Sequence, residues 1–258
     1  MGSSARTLRN WRGLRTLKEA VIDRDDYFNL WSYNMKFSED TINVLKNFST
    51  INPSILFKPG QILSTVSPQK TIMAKAVIEE DIPAKGGIYE LSRLLGVMSL
   101  FEDAVIQFKE THMRVQDSKR AVNYTFAEET MIVTPPEKDI TFPNPEVEVT
   151  AEWNDVQGVL RAAGVMQLPE IALSGKDGNV LIEAVNSKDP TADIYSVTIG
   201  ETDKEFRMIF KTENLKLINY NYNIKISSKG IAQFESTNQV GPRLQYWIAT
   251  ETNSSYGG

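Results

Sequence analysis

The sequence predicts an α+β chain made of two similar halves, each carrying two helices packed on antiparallel sheets. Three observations support this. Many short segments alternate apolar and polar residues with the period of two expected for a sheet with one buried face. The stretch DTINVLK (40–46) returns as DVQGVLR (155–161), with the same acid, Val-Leu pair and cation in the same register. Between the two copies lies VTPPEKDITFPNPE (133–146), whose prolines 135, 136, 143 and 145 mark an extended connector.

The elements follow in order. In MKFSEDT, Ser38 suits a helix N-cap and Asp40 the first turn. Val44, Leu45, Phe48 and Ile51 then gather on one side of a helix, with Asn43, Lys46, Asn47 and Thr50 on the other. Strands are expected at 54–57, 61–67 and 71–78. The second helix, ELSRLLGVMS (90–99), turns Leu91, Leu94, Leu95 and Met98 inward and Ser92, Arg93 and Gly96 outward. Strands at 104–109, 112–117 and 121–127 close the first half.

The second half opens with a strand at 146–151 and a helix in EWNDVQGVLRAAG (152–164). There Val156, Val159, Leu160 and Ala163 form the apolar stripe, and Asn154, Gln157 and Arg161 share the opposite face. Strands follow at 170–174, 179–185, 194–200 and 205–211. A short fourth helical segment is expected in KTENLKLI (211–218), with Lys211 and Lys216 as its cations. It loosely echoes ELSRLL, with Glu213, Lys216 and Leu217 answering Glu90, Arg93 and Leu94. Strands at 222–228, 231–236 and 244–250 end the chain, and KDGN and SSKG read as hairpin turns. The division is therefore 35–134, a connector at 135–145, and 146–258.

Residues 1–34 differ from this body. They hold six Lys/Arg and four acids, and their apolar content is too thin for a signal-peptide core. Because Met35 opens a fresh start, an upstream extension or a start-site artefact is expected there. The remaining body has 22 Lys/Arg against 29 Asp/Glu, a net of about −7.

Composition narrows the chemistry. A length of 258 residues fits two domains of ordinary size. There is no cysteine, so disulfides and thiolate metal sites are excluded, and no apolar run reaches the roughly 18 residues of a membrane span. The single histidine, His112, lies between two strand signals and reads as a surface hairpin position. The acidic groups at 79–81 and 128–129 read as solvated charge, and SGKDG (174–178) lacks the P-loop spacing. No catalytic residue, cofactor or metal site is expected.

The opening MKFSEDTINVLKNFSTIN, the closing YWIATE, the repeated helix-strand order and the Pro-rich crossover together resemble the DNA polymerase sliding clamp, or processivity factor, of T-even-type tailed bacteriophages. The resemblance covers residues 35–258. It implies the DNA-clamp fold, assembled as a homotrimer into a closed ring with helices lining a central hole through which duplex DNA passes. Lys46, Arg93, Arg161 and Lys211 or Lys216 would then face phosphates, without sequence readout. A lone cation on a helix's polar face is ordinarily only solubilising; the matched placement in two halves is what distinguishes these.

The resemblance also implies subunits joined by strand pairing at sheet edges, for which 127–134 and 193–199 are candidates. An outer pocket near the junction of the halves would receive partner tails, with Ile140, Phe142, Tyr246, Trp247 and Ile248 as possible lining groups. Implied partners are the replicative DNA polymerase, an ATP-dependent clamp loader and late-transcription factors, in the cytoplasm of the infected bacterial host and away from membranes. The alternative is a β-rich phage structural protein, a tail or baseplate subunit, which would show neither cations placed on helix faces nor a helix-first duplication.

Overall fold

The computed structural model describes residues 34–138 and 140–257; the expectation for the N-terminal extension lies outside them, save Asn34. Helix α1 (Glu39–Ile51) forms as its pattern dictates. The Ser38 side chain accepts a hydrogen bond from Thr41 N at 3.2 Å, satisfying one of the orphan amides of the first turn. Glu80, from the strand beneath, accepts from Ser38 N and from Thr41 Oγ1, the latter at 2.6 Å, so one member of the 79–81 acid cluster anchors the start of the helix. Val44, Leu45 and Phe48 are fully buried, each contributing on the order of 1.5–3 kcal/mol by leaving water.

The first half continues with β1 (Ile55–Phe57), β2 (Gly60–Val66), β3 (Ile72–Ile82), β4 (Gly86–Ile88), α2 (Leu91–Met98), β5 (Val105–Phe108), β6 (His112–Gln116) and β7 (Ala121–Thr125). After the Pro-rich stretch come β8 (Val147–Ala151), α3 (Trp153–Met166), β9 (Glu170–Lys176), β10 (Asn179–Val185), β11 (Tyr195–Glu201), β12 (Phe206–Lys211), β13 (Tyr222–Ser227), β14 (Ile231–Ser236), β15 (Arg243–Ala249) and β16 (Ser255–Tyr256). α1 packs on α2 and on β2 and β3, whereas α3 packs on β9, β10 and β11. The KDGN turn joins β9 to β10 with Asp177 and Gly178 both at positive φ, the signature of a two-residue primed turn.

Two strands escape the sequence pattern. β4 reads GGI and looks like a turn, yet it pairs with β1. Its glycines are required by close approach: a Cβ on Gly86 would lie 2.6 Å from the Phe126 ring, and one on Gly87 2.6 Å from the Ala127 carbonyl. β16 is a two-residue pairing with β12 near the chain end.

Two other expectations are corrected. The segment 211–218 is not an α-helix: Lys211 ends β12, and only Thr212–Asn214 form a single 3-10 turn. Leu215 and Leu217 are both buried. An i, i+2 pair would point to nearly opposite sides of a helix, so an irregular path buries them better. The candidate interface strand at 127–134 is also not a strand, since it holds the 3-10 turn Glu129–Met131.

The decisive long-range feature is a six-stranded antiparallel sheet in the order β2-β3-β15-β14-β13-β8. It joins strands from before and after the connector, through the β3–β15 register running from Ile72↔Ile248 to Val77↔Arg243. On its inner side Tyr246 donates from its hydroxyl to Asn47 Oδ1 at 3.0 Å, and Asn47 Nδ2 donates to the Lys216 carbonyl at 2.9 Å. Tyr222 donates to the Ile218 carbonyl at 2.6 Å. Burial pushes both phenols well above the usual tyrosine range, so they remain donors at any physiological pH.

Asn47→Ala removes the acceptor of the Tyr246 hydroxyl's 3.0 Å bond and the donor to the Lys216 carbonyl, and is expected to cost about 1–3 kcal/mol in urea unfolding. Tyr246→Phe, which removes only the donor, is expected to cost less. An unchanged midpoint for Asn47→Ala would show that these bonds contribute nothing to joining the halves.

Candidate nucleic-acid interface and partner cleft

The cations expected on the helices separate into two groups. Lys46 on α1 and Arg161 on α3 are exposed, and among the described residues neither makes an ion pair. Both sit one position beyond the buried stripe of their helix, following Val44-Leu45 and Val159-Leu160, which is why the echoed heptapeptides place them alike. Arg93 on α2 is also exposed and stands 3.5 Å from Glu90 one turn earlier, a solvent-screened pair of little energetic weight.

The other group behaves differently. Lys216 donates from Nζ to the Thr50 carbonyl, at the end of α1, where a cation meets both an orphan carbonyl and the negative end of the helix dipole. It serves the contact between the halves, so its assignment as a helix-borne phosphate ligand is corrected. Lys211, at the end of β12, is exposed but opposite Glu170 in the ladder rather than on a helix face. The Glu-x-x-Lys-Leu echo of Glu213, Lys216 and Leu217 imitates helical periodicity, and Lys211 lies just before it.

A cleft of about 490 Å³ opens on the outer side of the shared sheet, beneath the start of the connector. Ile140 and Trp247 line it, together with Leu56, Ile62, Met73 and Lys58. Phe142 is half-buried and does not line it. Tyr246 and Ile248 are fully buried and face the core, so they are corrected from lining groups to core residues. Alternation along β15 dictates this: Trp247 points out because its neighbours point in. Met73 lies opposite Trp247 in the β3–β15 register, a juxtaposition that only the pairing creates. The Trp247 indole N–H is buried without a partner. Asn52 ties the connector to this scaffold, its Nδ2 donating to the Val66 carbonyl at 2.9 Å and the Val133 carbonyl at 3.1 Å.

No cluster of His, Asp and Glu suited to a metal occurs among the described residues, and His112 begins β6 at the hairpin with β5. No helix among them is long and apolar enough to cross a membrane.

Residues 38–134 match the family of DNA polymerase processivity factors, and residues 146–252 match the family described as gp45 sliding clamp, C terminal. The chain is 32% identical over 232 residues to the sliding clamp of Enterobacteria phage T4, covering 86% of this chain and 99% of that one. The chain belongs to the sliding-clamp family. The sliding clamp of Escherichia phage RB69 is 30% identical over the same coverage. Solved clamps share the fold at low identity: A. fulgidus PCNA bound to the C-terminal region of FEN-1 has a TM-score of 0.62 at 15% identity, covering 83% of this chain and 96% of that one. The H. pylori beta clamp in complex with diflunisal has a TM-score of 0.64 at 13% identity, covering 85% of this chain and 66% of that one. This clamp is thus a processivity factor with the DNA-clamp fold, not an enzyme, and the matches lend no support to a tail or baseplate subunit.

The two groups of cations predict opposite responses. Lys46→Ala and Arg161→Ala are expected to change stability by less than about 0.5 kcal/mol, as exposed substitutions usually do. Lys216→Met, which uncaps α1 at the junction, is expected to lower the thermal midpoint measurably. Calorimetry of the three variants checks this, and equal midpoints for all three would remove the distinction.

Proposed function

We propose that three copies of this chain, each divided into domains at 35–134 and 146–258, close head to tail into a ring that encircles duplex DNA and tethers the replicative polymerase. The observation that carries the reading is a pair of unused sheet edges. Among the described residues no strand pairs with the outer edge of β7 in the sheet β5-β6-β7, or with that of β11 in the sheet β11-β10-β9-β12-β16. Neither AVNYT of β7 nor YSVTIG at 195–200 contains the Lys, Arg or Pro with which proteins ordinarily blunt an exposed edge. Exposed apolar groups flank both: Tyr89 and Leu100 beside α2, and Val165, Ile194 and Tyr195 near α3 and β11. The 193–199 candidate survives as β11; its complement is β7 in place of 127–134. Two different surfaces that bind each other generate either a closed ring or an open filament, and a ring is the soluble solution.

In such a ring Lys46, Arg93 and Arg161 face the hole, repeated in every copy, and attract the phosphate backbone without reading bases. The acidic body keeps DNA from the outer rim. Processivity then arises from enclosure: a polymerase held to a ring that cannot leave the duplex rebinds its template at high effective concentration. The cleft beneath the connector, floored by Trp247 and Met73, accepts the tails of the polymerase, of an ATP-dependent loader that opens the ring, and of late-transcription factors. This takes place in the cytoplasm of the infected bacterial host.

Protein loaded on nicked circular DNA is expected to stay bound, to leave when that DNA is linearised, and to be retained less well with Lys46→Ala and Arg161→Ala combined. Equal retention on circular and linear DNA would replace enclosure by ordinary surface binding. In sedimentation, Ile194→Asp with Thr198→Pro is expected to yield monomers; an unchanged assembly would remove β11 from the interface.

A further inference from the structure

Lys36 differs from the other cations of the helix surface. It lines, with Lys46, a cleft of about 290 Å³ between α1 and α2 whose walls include Phe37, Ile42, Leu95 and Phe101. Its Nζ donates to both carboxylate oxygens of Asp103, at 2.6 and 2.7 Å. Lys46 makes no ion pair among the described residues, and Arg93 meets Glu90 only at 3.5 Å. The cation held most closely by an acid on this surface is therefore Lys36. Both members of its pair are nevertheless open to solvent, with side chains 55% and 74% exposed.

The fold fixes the backbone on both sides of this pair. Before Lys36, the buried Met35 donates from N to the Ile106 carbonyl at 3.0 Å and accepts from Ile106 N at 2.8 Å. After it, Ser38 N donates to Glu80 Oε1. Asp103 follows the turn that ends α2, where Phe101 is buried, donates from N to the Met98 carbonyl at 3.2 Å, and carries the Arg120 guanidinium 5.4 Å above its ring. The acid is thus placed by the core, and what moves is the lysine stem. Because Lys36 and Lys46 line one cleft, a phosphate that reaches Lys46 comes close to the Lys36–Asp103 pair as well.

We propose that Asp103 is a built-in competitor for DNA phosphates: it holds Lys36 beside Lys46, yields it to a passing phosphate, and takes it back when that phosphate moves on. This rests on the clamp reading above. An exposed ion pair adds little stability, so exchanging one oxyanion for another costs little. The ammonium is a compact charge on a flexible stem and passes between acceptors without a demanding geometry. A duplex presents one charge per about 1.7 Å of axis, so each step to the next phosphate is short. A cation left without its acid would instead deepen every position at which a phosphate meets it. Asp103 therefore flattens the potential along which the duplex slides, while the unpaired Lys46 keeps the attraction.

The test compares the full chain with Asp103→Asn, Lys36→Gln and the two combined. Asp203→Asn, which removes the same charge from an exposed position between β11 and β12, is the control for net charge. Fluorescence anisotropy on a short duplex is titrated between about 50 and 200 mM NaCl, where each phosphate contact contributes roughly 0.9 to the slope of log K against log salt. Asp103→Asn is expected to steepen that slope, so that the ratio of affinities at the two ends rises about threefold for each copy whose Lys36 reaches a phosphate. Its diffusion along end-blocked duplex is expected to slow. The gain is expected to vanish in the combined variant and to be absent in Asp203→Asn. An unchanged slope for Asp103→Asn overturns the competitor, as does an equal gain from Asp203→Asn or a gain that survives Lys36→Gln. Retention of the full chain on nicked circles, with release on linearisation, is read separately. If it is retained there while Asp103→Asn behaves as the full chain does, the competitor fails and the clamp stands; if the full chain is not retained, the clamp reading fails first.

Discussion

The antiparallel ladder between β3 and β15 is the constraint on which the rest of the chain depends. Residues 72–77 meet residues 243–248 across most of the length of the chain, and the entropy of closing so long a loop must be recovered from the contact. It is recovered by one continuous sheet with a common core beneath it. Phe48 from α1, Ala74 and Ala76 from β3, Tyr222 from β13, and Tyr246 and Ile248 from β15 are all fully buried in the same cluster. Hydrogen bonds then direct what burial alone would leave free. Asn47, Tyr246 and the Lys216 carbonyl lock α1 to the second half, and an unmade bond at such a place costs more than a made one contributes.

That junction sorts the basic residues by geometry. Lys216 is drawn to the carbonyl end of α1 because the irregular path after β12 runs alongside that helix. Lys46 and Arg161 lie exposed on helix faces opposite the buried stripes, and among the described residues neither is drawn into an ion pair. On an acidic body, a few such groups create local positive potential without a generally basic surface.

The same sheet explains the outer cleft. Strands β3 and β15 are neighbours only because the halves join, and the connector starts where Asn52 holds the Val133 carbonyl. The apolar floor made by Met73 and Trp247 is therefore a property of the joined molecule and of neither half alone. Among the described residues the outer edges of β7 and β11 also lack a partner strand, and backbone groups left unpaired at an edge are satisfied most directly by another strand.

What the sequence by itself determined was whatever depends on local periodicity. The stripe Val44, Leu45, Phe48 and Ile51, the Ser38 cap, the Val156, Val159 and Ala163 stripe, and the KDGN turn all form where their spacing demands. The helix-face cations Lys46, Arg93 and Arg161 were legible for the same reason, since a side chain opposite a buried stripe has nowhere to go but outward. Family motifs in the opening and closing segments carried the identity. Tertiary structure alone decided the rest. Gly86 and Gly87 form a strand because Phe126 and Ala127 press against them. Residues 211–218 gave up a helix because Leu215 and Leu217 both had to be buried, and Lys216 followed them to the junction. Trp247 lines the cleft while Tyr246 and Ile248 do not, because the pairing of β15 with β3 chose which face of an almost wholly apolar strand met the core. A period of two says that neighbours point oppositely; only the partner strand says which way is in.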